Sequence, residues 1–223
     1  HDRQLRIIAQ SLNKKIKSEL LKMLETDRPK YEAFYENYGR QLRYGAVAGY
    51  GRDIDSLREL FLYKVEADKY STLKEYTARM PAEQKYIYYA LGESPAKTLR
   101  LPQAELVRAK GYEILCLSEE VDEFIIERLG TQDEKKFCNI VTGDLGLETE
   151  EKKADIEKKA AEAKAVLDFA KEALGGRVED VRLSHKLVSA PVCLTTEGEV
   201  TLEMERYFRR MPQMPGMEPP KAR

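Results

Sequence analysis

Tyr86-Ile87-Tyr88-Tyr89-Ala90-Leu91-Gly92 decides the fold. Six apolar or aromatic residues closed by a glycine read as a buried strand. Two similar short runs follow, Glu113 to Leu117 and Phe137 to Val141. The stretches between them, Ala96 to Lys110 and Glu119 to Leu129, carry helical spacing. Strand, helix, strand, helix, strand predicts a right-handed βαβαβ unit with a mostly parallel sheet.

Upstream of this unit the period changes to that of helices. Leu5, Ile8, Leu12, Ile16, Leu20 and Leu24 fall in steps of three and four, with lysines on the other side, so the opening stretch is a long amphipathic helix. Asp27 and Pro29 mark a stop and a restart, since Asp caps a helix and Pro is tolerated in its first turn. A second helix carries Tyr31, Phe34, Tyr35, Tyr38 and Leu42, and a third runs from Asp53 through Leu57, Leu60 and Phe61. A polar lead-in with a Leu73/Tyr76/Thr77 face precedes the first strand. Downstream, Glu148 to Leu174 spaces Ile156, Ala160, Ala163, Leu167, Ala170 and Leu174 as one helix that ends at Gly175-Gly176. Two strands are expected at Val178 to Leu183 and Ser189 to Thr195, then a helix from Glu199 to Met211 stopped by Pro212. The fold class is therefore α/β and α+β. Residues 1–65 form a three-helix segment, 66–148 an αβα layer with a short, mostly parallel sheet, and 149–223 a truncated α+β C-terminal domain.

The charge balance narrows the partners. Lys and Arg number 38 against 39 Asp and Glu, a formal charge of −1, which excludes a strong global basic field for nucleic acid. No run approaches the roughly 18 to 20 apolar residues of a bilayer span, and the first residues lack a secretory signal. A soluble, cytoplasmic protein without nucleic-acid or membrane partners is expected. Cys116, Cys138 and Cys193 form no CxxC pair and have only two histidines for company, so neither a zinc site nor a disulfide framework is expected. His1 stands two residues before an amphipathic run, and Pro219 to Arg223 stops without a closing element. The expectation is a piece of a longer chain.

Several motifs invite chemistry. Gly45-Ala46-Val47-Ala48-Gly49-Tyr50-Gly51 has the form of a phosphate-binding turn, and Tyr70 to Lys74 matches YxxxK. The turn leaves a predicted helix rather than a strand, so it reads better as an interhelical loop. Ser118, Glu119, Glu120, Asp122 and Glu123 follow the second strand, where open α/β sheets place ligands. Ser118 also suits an N-cap, and acidic residues suit a first helical turn. Cys116 and Cys138 sit inside apolar strands as core fillers, and His185 has no second ligand at metal spacing. Met204, Tyr207, Phe208 and Met211 follow the i, i+3, i+4, i+7 rule among Glu and Arg residues, and Met214 and Met217 continue the apolar theme. Methionine is pliable and common on promiscuous surfaces, so this stripe is a candidate contact surface.

The run Ser71-Thr72-Leu73-Lys74-Glu75-Tyr76-Thr77-Ala78-Arg79-Met80, continuing through Gln84-Lys85 to Ile87-Tyr88-Tyr89-Ala90-Leu91-Gly92, resembles the middle domain of the Hsp90 chaperones, the bacterial members in particular. Lys110 to Leu115, Asp122-Glu123, and Val181 to Leu187 with Ala190-Pro191 support the likeness, which covers essentially the whole chain. The resemblance implies a dimeric, ATP-driven parent. Its nucleotide domain, catalytic arginine loop and dimer helices would lie outside this stretch. On that basis the chain is expected not to be an enzyme itself and to hold no cofactor, ATP and Mg belonging to the parent. Its implied partners are partly unfolded client proteins, the N-terminal ATPase domain of the same parent and, for the parent, a second copy. Asp122-Glu123-Phe124 and Glu127 resemble a client patch in which bacterial members commonly carry Trp at the position of Phe124. Met204, Tyr207, Phe208 and Met211 resemble a client-binding helix. The expected client-binding residues are thus Glu123, Phe124, Glu127, Met204, Tyr207, Phe208 and Met211. The competing reading is a small α/β enzyme domain that binds a nucleotide or metal through Ser118 to Glu123 or the glycine loop. A third is a structural oligomerisation module.

Overall fold

The computed structural model describes residues 2–48, 51, 53–147, 150–184, 186–195 and 205. Helices α1 (Asp2–Thr26) and α2 (Arg28–Val47) form an antiparallel pair around the predicted break. Asp27 caps α2 by accepting the Lys30 N–H, with proline in the first turn. Only the second half of α1 is packed: Leu20, Leu21, Met23 and Leu24 meet Tyr31 and Tyr35 of α2 together with Leu60 and Leu62. The first half leaves Leu5, Ile8, Leu12 and Ile16 more than half exposed. The third helix is short, α3 (Ile54–Leu57), and tightens into a 3-10 turn over Arg58–Leu60.

The sheet follows, with β1 (Tyr63–Glu66), β2 (Lys69–Ser71), α4 (Leu73–Arg79), β3 (Tyr86–Leu91), α5 (Pro95–Thr98), α6 (Pro102–Ala109), β4 (Ile114–Leu117), α7 (Glu120–Leu129), β5 (Thr131–Gln132) and β6 (Lys135–Asn139). Strand order is β2-β1-β4-β3-β6-β5. The three predicted strands form the parallel centre, with Tyr89 opposite Leu115 on one side and Asn139 on the other. Each edge carries a hairpin strand that sequence reading missed. β1 pairs antiparallel with β4 and β2, and β5 pairs antiparallel with β6. These strands are only two to four residues long, and the buried Tyr63 and Val65 of β1 alternate with Lys64 and Glu66, so none shows an apolar run of strand length to read. The turn of the β5–β6 hairpin places Asp133 and Glu134 at φ 47° and 63°.

Both sheet faces are covered, as the apolar runs of the central strands require. On one face Ile87, Leu115 and Leu117 pack with Ala46, Ile54, Tyr76, Ile125 and Ile126 from the α2, α3, α4 and α7 side. On the other, Tyr88, Ala90 and Ile114 pack with Ala104 and Val107 of α6 and with Ile140 and Leu145.

Beyond Leu147 the predicted single helix is two, α8 (Glu150–Glu162) and α9 (Lys164–Ala173), broken at Ala163. Gly175 and Gly176 take φ 56° and 78°, as a helix C-terminus asks. The strands expected at 178–183 and 189–195 do not form among the described residues. Alternating residues need a ladder partner to become a strand, and the described part of this region supplies none. Instead, Ser189 gives its N–H and hydroxyl to the Glu105 carboxylate of α6, and the Leu194 carbonyl accepts from Gln103. The helix expected over Glu199 to Met211 lies outside the described residues, Glu205 excepted, and His185 also lies outside.

Candidate functional site on helix α7

The two sequence candidates near the sheet, the acidic turn and the client patch, meet on α7. The cap of this helix is Glu119 in extended conformation rather than Ser118, and Asp122 reaches back to accept the Glu119 N–H at 3.2 Å. Val121, Ile125, Ile126 and Leu129 give α7 a wide apolar face against the sheet. Gly130, at φ 66°, ends it by donating to the Ile126 carbonyl.

Asp122 belongs to the interior. It is fully buried, and its Oδ2 lies 2.8 Å from Nη1 of Arg43, itself buried on α2. The guanidinium also donates to the Gly39 carbonyl and lies over the Tyr35 ring, 5.5 Å from its centroid. Burial pushes the Asp122 carboxyl up to about 6, opposed by Arg43 and by the backbone N–H groups at the cap. Burial likewise pushes the neighbouring Tyr63 hydroxyl well above its ordinary value. Arg43 was missed by sequence reading, although a signal exists. Tyr31, Tyr35, Gly39 and Arg43 are spaced by four, so a charged residue ends a buried stripe. Gly39 is required there, since a Cβ would come within 2.8 Å of the Tyr35 ring.

Glu123 is also inside, only 6% exposed, and accepts from Asn139 Nδ2 at 3.1 Å. Asn139 uses its carbonyl oxygen to take the Val141 N–H. The Glu123 side chain thus ties α7 to the end of β6 and does not present itself to a partner. This corrects its place in the expected surface patch. The helical period carries positions 122 and 123 inward and 124 outward. Phe124 is 41% exposed, and Glu127, one turn on, is exposed beside it. Met204, Tyr207, Phe208 and Met211 lie outside the described residues.

A cleft of about 450 Å³ opens between α2, β1 and the cap of α7, lined by Tyr35, Arg40, Arg43, Tyr63, Lys64 and Glu119. Its cations are engaged: Arg40 faces Glu119 at 3.5 Å and Lys64 sits over the Tyr70 ring. Among the described residues no group of three or more His, Cys, Asp or Glu side chains converges as a metal ion would need. The described part of the glycine stretch does not leave a strand. Helix α2 runs through Gly45 to Val47, and Tyr70 and Lys74 fall on β2 and α4, so no strand feeds a phosphate turn. The Cys116 and Cys138 thiols are pushed up to about 12 and about 11 by burial, which makes both poor nucleophiles.

A family model described as Hsp90 protein matches residues 1–214. The chain belongs to the Hsp90 family. It is 45% identical over all 223 residues to the chaperone protein HtpG of Bacillus subtilis, covering 36% of that protein. The chaperone protein HtpG of Clostridium botulinum is 46% identical over 213 residues, 95% of this chain and 34% of the relative. That of Halalkalibacterium halodurans is 46% identical over 223 residues, again covering 36% of its length. The chain therefore spans about a third of the Hsp90 relatives it matches. Membership overturns one expectation. Hsp90 proteins are ATPases, so the reading of this chain as not an enzyme does not stand. No helix among the described residues is long and apolar enough to cross a membrane.

Proposed function

We propose that this chain is the client-contacting part of an ATP-dependent chaperone and that the outer strip of α7 is one of its contact surfaces. The observation that carries the reading is the presentation of Phe124. Its neighbours Asp122, Glu123, Ile125 and Ile126 are locked into the interior, while the Phe124 ring is left 41% exposed. An aromatic held on a rigid helix offers non-directional apolar contact to unfolded segments at little cost in its own ordering. Family membership supports the same reading, since the relatives are named chaperones.

In the whole protein, ATP with Mg would drive release and rebinding, and a homodimer would set two such surfaces against one client, in the cytoplasm. The stripe of Met204, Tyr207, Phe208 and Met211 supplies a second contact in this reading. The direct test is suppression of thermal aggregation of an unfolding enzyme, followed by light scattering, with Phe124→Ala compared with the parent chain. The variant should lose much of the suppression while its helix content and unfolding midpoint change little. Full suppression by Phe124→Ala would remove α7 from the client surface. For the second stripe, Met204→Ala with Phe208→Ser should weaken client binding without unfolding the chain. Unfolding would make that stripe core.

A further inference from the structure

We infer that the α7 surface selects apolar client segments that carry lysine or arginine beside the apolar residue. The inference rests on α7 being a client surface and adds the chemistry of what it takes. On a helix the nearest surface neighbours of Phe124 are the residues three and four away. They include Glu120, one turn before it, and Glu127, one turn after it. Neither carboxylate stands in a direct ion pair among the described residues, whereas Glu119 faces Arg40 at 3.5 Å and Glu123 is held inside by Asn139; Arg40 also feels the Glu120 charge. The one cation at such a spacing is Arg128, and its side-chain stem runs beside Gly51, on the α3 side of the helix. The exposed ring is therefore flanked along the helix by two carboxylates, Glu120 with Arg40 near enough to feel its charge and Glu127 with no ion pair among the described residues.

The charge complementarity is local. The whole chain carries a formal charge of only −1, so any preference for cationic segments must come from this strip rather than from a global field. An exposed charge pair contributes little, so the two carboxylates yield a modest bias on top of apolar contact. A basic residue next to an apolar one places its charge near Glu120 or Glu127 when the apolar side chain sits on Phe124. An acidic neighbour meets repulsion at both ends, which is discrimination by exclusion as well as by attraction.

The test uses three fluorescein-labelled peptides that share one apolar core and differ in flanking residues, Lys, Ser or Glu. Their binding to the chain is followed by fluorescence anisotropy at low and at high salt. The Lys-flanked peptide is expected to bind about three- to tenfold more tightly than the Glu-flanked one at low salt, with Ser between. The ratio should shrink toward one at high salt and in the double variant Glu120→Gln, Glu127→Gln. Phe124→Ala should weaken all three. If the three peptides bind alike and all depend on Phe124, the charge selection is refuted and the client surface stands. If none depends on Phe124, the client surface itself is refuted. A Lys preference that survives the double variant would place the selection elsewhere and also refutes the inference.

Discussion

Substitution of Asp122 probes the joint that holds α7 in position. Asp122→Ala removes a fully buried carboxylate and leaves Arg43, 10% exposed in its side chain, without the partner at 2.8 Å. Deleting one member of a buried pair costs about 3–5 kcal/mol, chiefly the cost of stranding the other charge. A domain of ordinary stability holds roughly 5–15 kcal/mol in total, so the loss is large and readily measured. The pH dependence sharpens the test. Burial raises the Asp122 carboxyl from 3.8 to about 6 in the folded chain, so between these values the native state binds a proton that the unfolded state has released. The stabilisation linked to this group is complete below about pH 4 and is lost as pH rises through about 6, on the order of 3 kcal/mol across the window. Asp122→Asn has nothing to titrate, and the other carboxylates are common to both proteins. The stability of the parent relative to Asp122→Asn should therefore fall as pH rises from about 4 to about 7. The chain has no Trp, so urea unfolding is followed by circular dichroism. A difference that stays flat with pH, or grows in the opposite direction, would refute the burial-dominated account. A loss below about 1 kcal/mol in Asp122→Ala would refute the structural role of the pair.

Three further outcomes follow from local geometry. Glu134→Gly should stabilise by about 0.5–1 kcal/mol in urea unfolding, because Glu134 sits at φ 63° in a two-residue hairpin turn that glycine adopts without strain. Thr72→Ala should cost about 1 kcal/mol, because the Thr72 hydroxyl accepts the Glu75 N–H while the Glu75 carboxylate takes the Thr72 N–H, a reciprocal cap on α4. Iodoacetamide at mildly alkaline pH, read by peptide mass mapping, should label Cys193 well before Cys116 and Cys138. The latter two are buried, with thiols pushed up to about 12 and about 11.

Much of this architecture was legible in the order of residues. The central strands announced themselves as short apolar runs because a parallel sheet is buried on both faces. The long helices showed through their three- and four-residue steps, and Asp27, Pro29 and Gly175-Gly176 marked the ends. The family likeness, carried by the run from Ser71 to Gly92, was equally a property of the string. Tertiary structure alone decided which acidic residues of α7 face water. Sequence reading put Asp122 and Glu123 beside Phe124 as one patch, yet Asp122 is claimed by Arg43, 79 positions away, and Glu123 by Asn139, 16 positions away. Whether a carboxylate turns inward depends on a partner able to offset its desolvation, and that partner is set by how α2 and β6 come to lie against α7. The edge hairpins were hidden for a related reason. Apart from Tyr63 and Val65 of β1, which enter the core, their residues bury little apolar surface, and over two to four residues their strand character comes from the backbone groups of β4 and β6 beside them.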